Sequence, residues 1–174
     1  MTGSSSPLRN RGHPMAPLVA LVLVTLLLLA AGAAGVRPLR RWPVAVRGGL
    51  AAMFVLTGGA HFIGMREQLI SMVPPGLPAP GLLVTVTGVL ELLGAAGLLW
   101  HRTAPWAAAG LSVLLVVMFP ANVHAAVAGI LPGAEDQLLP RTAMQVVFLA
   151  ATLSVVVHHL RARRRPVSGR AAAA

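Results

Sequence analysis

Five long apolar runs dominate this chain, and they limit what it can fold into. They cover residues 16–35, 44–65, 80–100, 104–129 and 142–160, and each is bounded by Pro, Gly, Arg or His. A helix that crosses a bilayer needs about 20 mostly apolar residues. With 56% hydrophobic and 10% charged residues, the composition excludes a soluble enzyme with a buried core. We therefore predict an all-α, polytopic membrane helix bundle with five spans.

The segments around these runs predict a tail, an extra helix, a bundle and a second tail. Residues 1–14 are rich in Ser, Gly and Pro and lack apolar periodicity, which is typical of a flexible tail. Residues 15–36 are predicted as an extra transmembrane helix, 44–160 as a four-helix membrane domain and 161–174 as a basic cytoplasmic tail. The first run could instead be a signal peptide, since small residues follow it in an A-x-A pattern. Its length and the arginine-rich segment after it favour a retained span.

Arginine supplies all fourteen basic residues, and its distribution predicts the orientation. If the five spans alternate, four arginines fall on the side of the N-terminus and ten on the other side. The larger group consists of Arg37, Arg40, Arg41, Arg47, Arg102, Arg161, Arg163, Arg164, Arg165 and Arg170. Short arginine-rich loops stay in the cytoplasm. We therefore expect a multi-pass protein of a bacterial-type plasma membrane, with its N-terminus outside and its C-terminus inside.

Glu91 is the one carboxylate that falls within a predicted span. A charged residue at mid-depth costs about 3 kcal/mol or more, so its presence requires a reason. On a helix it shares a face of small residues with Gly88, Gly94 and Ala95, which lets another helix approach closely. Two interpretations stay open. Either Glu91 is hydrogen-bonded and joins two helices, or it forms a proton or ligand site.

His61 lies near the outer end of the second span, on a face shared with Thr57 and Gly58. Because a helix rises about 1.5 Å per residue, His61 and Glu91 differ in depth by roughly 10 Å, and contact between them requires tilt or an intermediary. Arg66, one turn further on, is a longer arm for the same role. The alternative, which we favour, is an interfacial histidine that snorkels toward water.

Polar residues also mark the outer halves of the fourth and fifth spans. Pro120 should kink the fourth span, and we expect Asn122 to face the bundle interior while His124 faces elsewhere. Arg141 and Gln145 begin a partly polar stripe on the fifth span. These positions predict a polar cavity that opens outward. The candidate ligand-binding residues are His61, Arg66, Glu91, Asn122, Arg141 and Gln145.

The predicted outer loops hold the other three carboxylates. The segment REQLISMV over 66–73 is too short to span and is expected to lie along the membrane interface, before a Pro-rich turn. The loop over 131–140 carries Glu135 and Asp136.

Several classes of function lack a signature here. The chain has no cysteine, which excludes thiol chemistry and thiolate-held iron–sulfur clusters. We predict no metal site, because one His and one Glu without ligand spacing do not form one. No nucleophile with an adjacent base is evident, so we predict no catalytic residues and no enzyme activity of the chain alone. The basic C-terminal run is attributed to topology or anionic lipid rather than nucleic acid.

Five segments together resemble the DoxX-like membrane proteins over about two thirds of the chain. They are RGGLAAMFVLTGGAHF from Arg47, MVPPGLPAPG, TGVLELLGAAGLL ending at Leu99, FPANVHAA, and Arg141 with Gln145. The resemblance implies a four-helix bundle formed by the second to fifth spans, with both ends cytoplasmic. The first span is an addition to that pattern.

The resemblance also implies a role. DoxX-like proteins are associated with membrane redox assemblies, including quinol-linked oxidases. We therefore expect an accessory or anchor subunit of a redox or oxidative-stress assembly, with the bilayer and other redox subunits as partners. By resemblance His61, Glu91, Asn122, Arg141 and Gln145 stand at recurring polar positions. A quinone or lipid-like molecule is the candidate ligand. The alternatives are a non-catalytic scaffold or assembly chaperone and, least favoured, a small permease.

Overall fold

A computed structural model describes residues 15–130 and 138–164, and this part of the chain contains six α-helices and no strand. The helices are α1 (Ala16–Ala33), α2 (Trp42–Ala60), α3 (Arg66–Met72), α4 (Pro80–Leu99), α5 (Ala104–Val127) and α6 (Leu138–Arg164). A 3₁₀-helix over Arg37–Arg40 joins α1 to α2. The predicted fold class is confirmed at this level: the protein is all-α.

Proline and glycine set several of the helix ends. Proline stands in the first two positions of α1, α2, α4 and α5, where its missing N–H is not needed and its fixed φ suits a helix. After α2, Gly64 has a φ of 78°, and after α5 Gly129 has a φ of 61°. Glycine adopts this left-handed conformation without the steric cost of a Cβ, so the chain can turn away from each helix.

The five long helices pack together, with α2 touching three of the others. Helix α2 contacts α1, α4 and α6, and α5 contacts α4 and α6, while α3 lies against α4 and α5. The centre of the bundle is apolar and fully buried, with Leu50, Phe54, Leu98, Leu111 and Val155 among its residues. These side chains come from α2, α4, α5 and α6, and Leu21 of α1 belongs to the same apolar cluster.

Five helices are long and apolar enough to cross a membrane, counted over the described ranges. These helices are α1, α2, α4, α5 and α6. Their outer faces expose many large apolar side chains, including Leu26, Leu27, Leu93 and Val117, each more than half exposed. Contiguous apolar surface of this extent is rare on soluble proteins and is compatible with lipid contact. The protein therefore has the architecture of a multi-pass membrane protein.

Successive spans run in opposite directions, so the bundle has two distinct ends. We call one the basic end: it holds the start of α2, the end of α4 and the end of α6, and Trp42 stacks edge-on against His158 there with ring centroids 5.4 Å apart. The described arginines of this end are Arg37, Arg40, Arg41, Arg47, Arg102, Arg161, Arg163 and Arg164. The other end, which we call the α3 end, carries α3, the end of α2 and the start of α4.

The structure changes several predicted boundaries. Helix α2 stops at Ala60 rather than 65, because the chain turns at residues 61–64. Helix α6 is longer than the predicted span and runs to Arg164, so the first residues of the predicted basic tail are helical. The segment predicted to lie along the interface contains the short helix α3. The predicted tail over 1–14, the acidic loop residues Glu135 and Asp136, and residues 165–174 lie outside the described residues.

Candidate functional site

Glu91 lies in the contact between α2 and α4 and is 4% exposed. The hydroxyl of Thr57 on α2 donates a hydrogen bond to Oε2 of Glu91 over 2.5 Å. Helix α2 can approach this closely because the residue beside Thr57 is Gly58: a Cβ added there would stand 3.1 Å from the Cβ of Glu91. The carboxyl group is thus held by a donor on the neighbouring helix.

His61 is also 4% exposed and sits over a glycine of α4. Nδ1 of His61 lies 2.8 Å from the backbone carbonyl oxygen of Thr57. A Cβ added to Gly88 would stand 2.5 Å from the Cβ of His61. The snorkelling interpretation of His61 is therefore wrong, because the side chain is buried against α4 rather than directed to water.

His61 packs on Gly88, one turn from Glu91 on α4, so the two residues lie closer in depth than predicted, and Thr57 contacts both. One residue serves both side chains: its hydroxyl binds Glu91, and its carbonyl oxygen faces the imidazole. The resulting chain of contacts runs from mid-span to the α3 end. The sequence indicated a shared face for Thr57 and His61, but it gave no sign that the hydroxyl crosses to the other helix.

Arg66 begins α3 and ties it to the ends of two spans. Nη1 donates to the carbonyl oxygen of His61 over 3.3 Å, while Nη2 donates to the carbonyl oxygen of Gly81 over 3.2 Å and to the hydroxyl of Thr85 over 3.0 Å. Carbonyl groups near the end of α2 lack helical partners, and the guanidinium supplies donors in a rigid fork. Arg66 therefore fixes the turn that follows α2 against the first turns of α4.

Asn122 and Gln145 form a separate polar group between α5 and α6. The amide nitrogen of Gln145 donates to the carbonyl oxygen of Leu115 over 2.5 Å, and the amide nitrogen of Asn122 lies 3.5 Å from Oε1 of Gln145. Asn122 faces α6, as its predicted inward orientation requires. Arg141 is half-buried one turn before Gln145 on α6.

The six candidate residues thus occur in different helix contacts. Hydrogen bonds connect His61, Arg66 and, through Thr57, Glu91 across α2, α3 and α4, and they connect Asn122 with Gln145 across α5 and α6. The small residues of α4 allow close packing against two neighbouring helices. Gly88 lies against His61 at the end of α2, and an added Cβ at Gly94 would meet Leu111 of α5. The arrangement binds helices to one another at each of these positions.

Two further polar contacts were not anticipated. Ser112 donates to Thr152 over 2.8 Å between α5 and α6, and both residues are buried. Arg47 lies within α2, where Nε donates to the carbonyl oxygen of Leu98 over 2.6 Å and Nη2 to that of Leu99 over 2.9 Å. The one available signal for Arg47 was its position inside the apolar run over 44–65.

Two cavities on the surface of the described residues have none of the six candidate residues in their linings. The larger, of about 460 Å³, lies at the basic end between the start of α2 and the end of α4, and Arg47, Trp100 and His101 line it. The smaller, of about 230 Å³, is an apolar groove between α1, α2 and α6 lined by Leu21, Thr25 and Ala151 among others.

These features define a class: an all-helical, multi-pass membrane protein whose buried polar side chains join its helices. Within that class the chain belongs to the family described as a domain of unknown function, DUF8561, whose model matches residues 50–156, more than half of the chain. The match includes all six candidate residues and begins just after Arg47. No curated protein and no solved structure matches the chain.

Proposed function

We propose that this protein is a DoxX-like integral membrane protein that acts as an accessory or anchor subunit of a membrane redox or oxidative-stress assembly. One observation supports a non-catalytic role: the buried Glu91 carboxyl accepts a hydrogen bond from Thr57 in a close helix contact. The redox association rests on the sequence resemblance alone. The bundle would consist of α2, α4, α5 and α6, with α1 added outside it.

The same geometry favours the scaffold alternative over a ligand-binding one. A quinone or lipid-like ligand at the α3 end requires polar groups that face a common space. Instead His61 and Glu91 are buried and both are engaged by Thr57, while Gln145 is bound to the backbone of α5. These residues therefore do not fit a resident quinone. A permease is supported still less, because the spanning helices are continuous in the described ranges, whereas such proteins use broken helices.

The large lipid-facing apolar surface suits the anchoring role. In a bilayer, helices of different subunits associate through van der Waals contact and a few hydrogen bonds, so smooth apolar faces of α4, α5 and α6 can pack against partner helices. Ten arginines on one side and four on the other support an orientation with the C-terminus in the cytoplasm.

A Glu91→Gln variant tests this proposal. Glutamine keeps an acceptor for the Thr57 hydroxyl but cannot exchange a proton, so the assembly and the protection of cells against oxidants should be unchanged. The measurement is the set and stoichiometry of membrane subunits recovered in mild detergent, alongside survival under peroxide. Glu67→Gln, at an exposed position on α3, is the matched control.

Two outcomes would contradict the proposal. Loss of protection with an intact assembly in Glu91→Gln, but not in Glu67→Gln, would assign Glu91 a proton or ligand role. Recovery of the wild-type chain without other membrane subunits would contradict the proposed anchoring role.

A further inference from the structure

Arg47 is a buried cation for which the described chain supplies no anion. The side chain is nine-tenths buried, and its two hydrogen bonds go to neutral carbonyl groups at the end of α4. The carboxylates of the described residues are Glu67, on α3 at the other end, and Glu91, in the middle of α4, and neither forms a hydrogen bond with Arg47. A helix C-terminus contributes only about half a negative charge. Within the described residues the guanidinium therefore retains excess positive charge at a position where burial makes that costly.

The guanidinium of Arg47 lines the larger cavity, and one of its nitrogens has no hydrogen-bond acceptor among the described residues. Nε and Nη2 bind Leu98 and Leu99, whereas Nη1 has no hydrogen bond to the described part of the protein. The cavity of about 460 Å³ is within the range of small-ligand sites. An anion placed there would meet a donor that the fold already holds in position.

The rest of the lining selects an amphiphile rather than a simple ion. Val44 and Leu99 provide apolar walls, Trp100 an aromatic one, and His101 a second polar group. Trp100 is 66% exposed, as is common for aromatic residues at a membrane–water interface. The cavity lies at the ends of two spanning helices, which is the depth at which lipid headgroups meet acyl chains.

We propose that the cavity around Arg47 binds the phosphate group of an anionic membrane lipid, with the acyl chains running along the apolar surface of α4. Nearby Arg37, Arg40, Arg41 and Arg102 raise the positive potential of this end and favour lipids that carry net negative charge. Basic pockets between transmembrane helices bind such headgroups. The site is distinct from the polar residues of the α3 end, and its occupancy does not depend on the anchoring role proposed above.

Tryptophan fluorescence can report on this site in the full chain. The protein has three tryptophans, and Trp42→Phe with Trp106→Phe leaves Trp100 as the sole fluorophore. The delipidated protein in uncharged detergent is titrated with brominated phosphatidylglycerol and, separately, with brominated phosphatidylcholine. We expect half-maximal quenching of Trp100 by the anionic lipid at a concentration at least about fivefold lower, the factor that corresponds to about 1 kcal/mol.

Two variants and one control test the assignment. Arg47→Gln should remove the preference for the anionic lipid. Ala96→Phe adds bulk to the cavity, which Ala96 lines, and keeps Arg47, so it should weaken binding about fivefold or more even where Arg47→Gln fails to fold. Ala143→Phe, at an exposed position on α6 near the other end, should change neither.

Each contrary result overturns the proposal. Equal quenching by the two lipids in the parent protein would show that the cavity has no preference for an anionic headgroup. An unchanged titration in Ala96→Phe would place the lipid elsewhere. A change in Trp100 emission on adding inorganic phosphate alone, with no quenching by either lipid, would replace the lipid by a free phosphate ion.

Discussion

Thr57 differs from the two threonines of α4 in where its hydroxyl points. Thr85 and Thr87 donate to carbonyl oxygens of their own helix, at Gly81 and Leu83 respectively, which is the usual local bond of a helical threonine. Thr57 instead donates across the helix contact to Glu91. The hydroxyl therefore contributes to the association of α2 with α4 and not merely to the local geometry of α2.

A Thr57→Val variant should lower the free energy of unfolding by about 0.6–1.7 kcal/mol, because it removes the donor to a buried carboxyl group while keeping the side-chain shape. Equilibrium unfolding in mixed detergent micelles measures this. Thr87→Val is the matched control, since its hydroxyl bonds only within α4. Thr57→Ser should retain most of the stability. Equal losses for Thr57→Val and Thr87→Val would contradict a bond between helices.

At this scale the sequence revealed Glu91 but not its partner. A carboxylate in an apolar run stands out because insertion is costly, and its neighbours at helical spacing follow from periodicity alone. The partner depends on the register of α2 against α4 and on the rotamer of Thr57, and neither is encoded in a local pattern. His61 was misread for the same reason: the closeness of its helix to Gly88 is a property of the pair.

The contact between α2 and α4 depends on a glycine from each helix. Gly58 of α2 lies against Glu91 and Leu92, and Gly88 of α4 lies against His61 and Phe62. Because each glycine faces a side chain of the partner, neither helix can gain a Cβ at these points without moving the other. Small residues allow such close approach between helices in a bilayer, where no hydrophobic effect drives association.

Gly88→Ala should lower the free energy of unfolding by about 1–3 kcal/mol, because the new Cβ would stand 2.5 Å from the Cβ of His61 and force the helices apart. Gly59→Ala on α2 is the matched control, since no heavy atom lies within 4 Å of its added Cβ. Unfolding in mixed micelles compares the two. A loss for Gly59→Ala as large as for Gly88→Ala would contradict packing against His61 as the cause, because alanine has the higher helix propensity.

Helices α5 and α6 are joined differently, through an amide near a proline. Pro120 lacks the N–H that would bind the carbonyl of Val116, and Gln145 donates to the carbonyl of the preceding residue, Leu115. We expect Gln145→Leu to lower the free energy of unfolding by about 0.6 kcal/mol, the average for a hydrogen bond between membrane helices. Gln68→Leu, on an exposed face of α3, should have a smaller effect.

Helix existence was predictable and helix ends were less so. Apolar runs of about 20 residues identify spans because the bilayer sets their length. The end of α2 at Ala60 depends on a turn through Gly64, and apolar residues Phe62 and Ile63 in that turn extended the predicted span. Composition could not separate an apolar turn from a helix.

At the scale of the whole molecule, the distribution of charge follows the alternation of the spans. The basic end gathers arginines from four separate segments of sequence, whereas the described arginines of the α3 end are Arg66 and Arg141. The order of the spans was predictable, because short connections place successive helices antiparallel. The burial of Arg47 against the end of α4 was not, since it depends on which helix packs beside α2.

The absence of cysteine makes the orientation directly testable. Gly76 is exposed between α3 and α4, with no heavy atom within 4 Å of an added Cβ, and His101 is exposed between α4 and α5 at the basic end. Because arginine-rich segments stay in the cytoplasm, an impermeant maleimide should label Gly76→Cys in intact cells several-fold faster than His101→Cys. Permeabilised cells, in which both must react, provide the control. The reverse preference would place the basic end outside the cell, and the Arg47 cavity would then face the outer lipid leaflet.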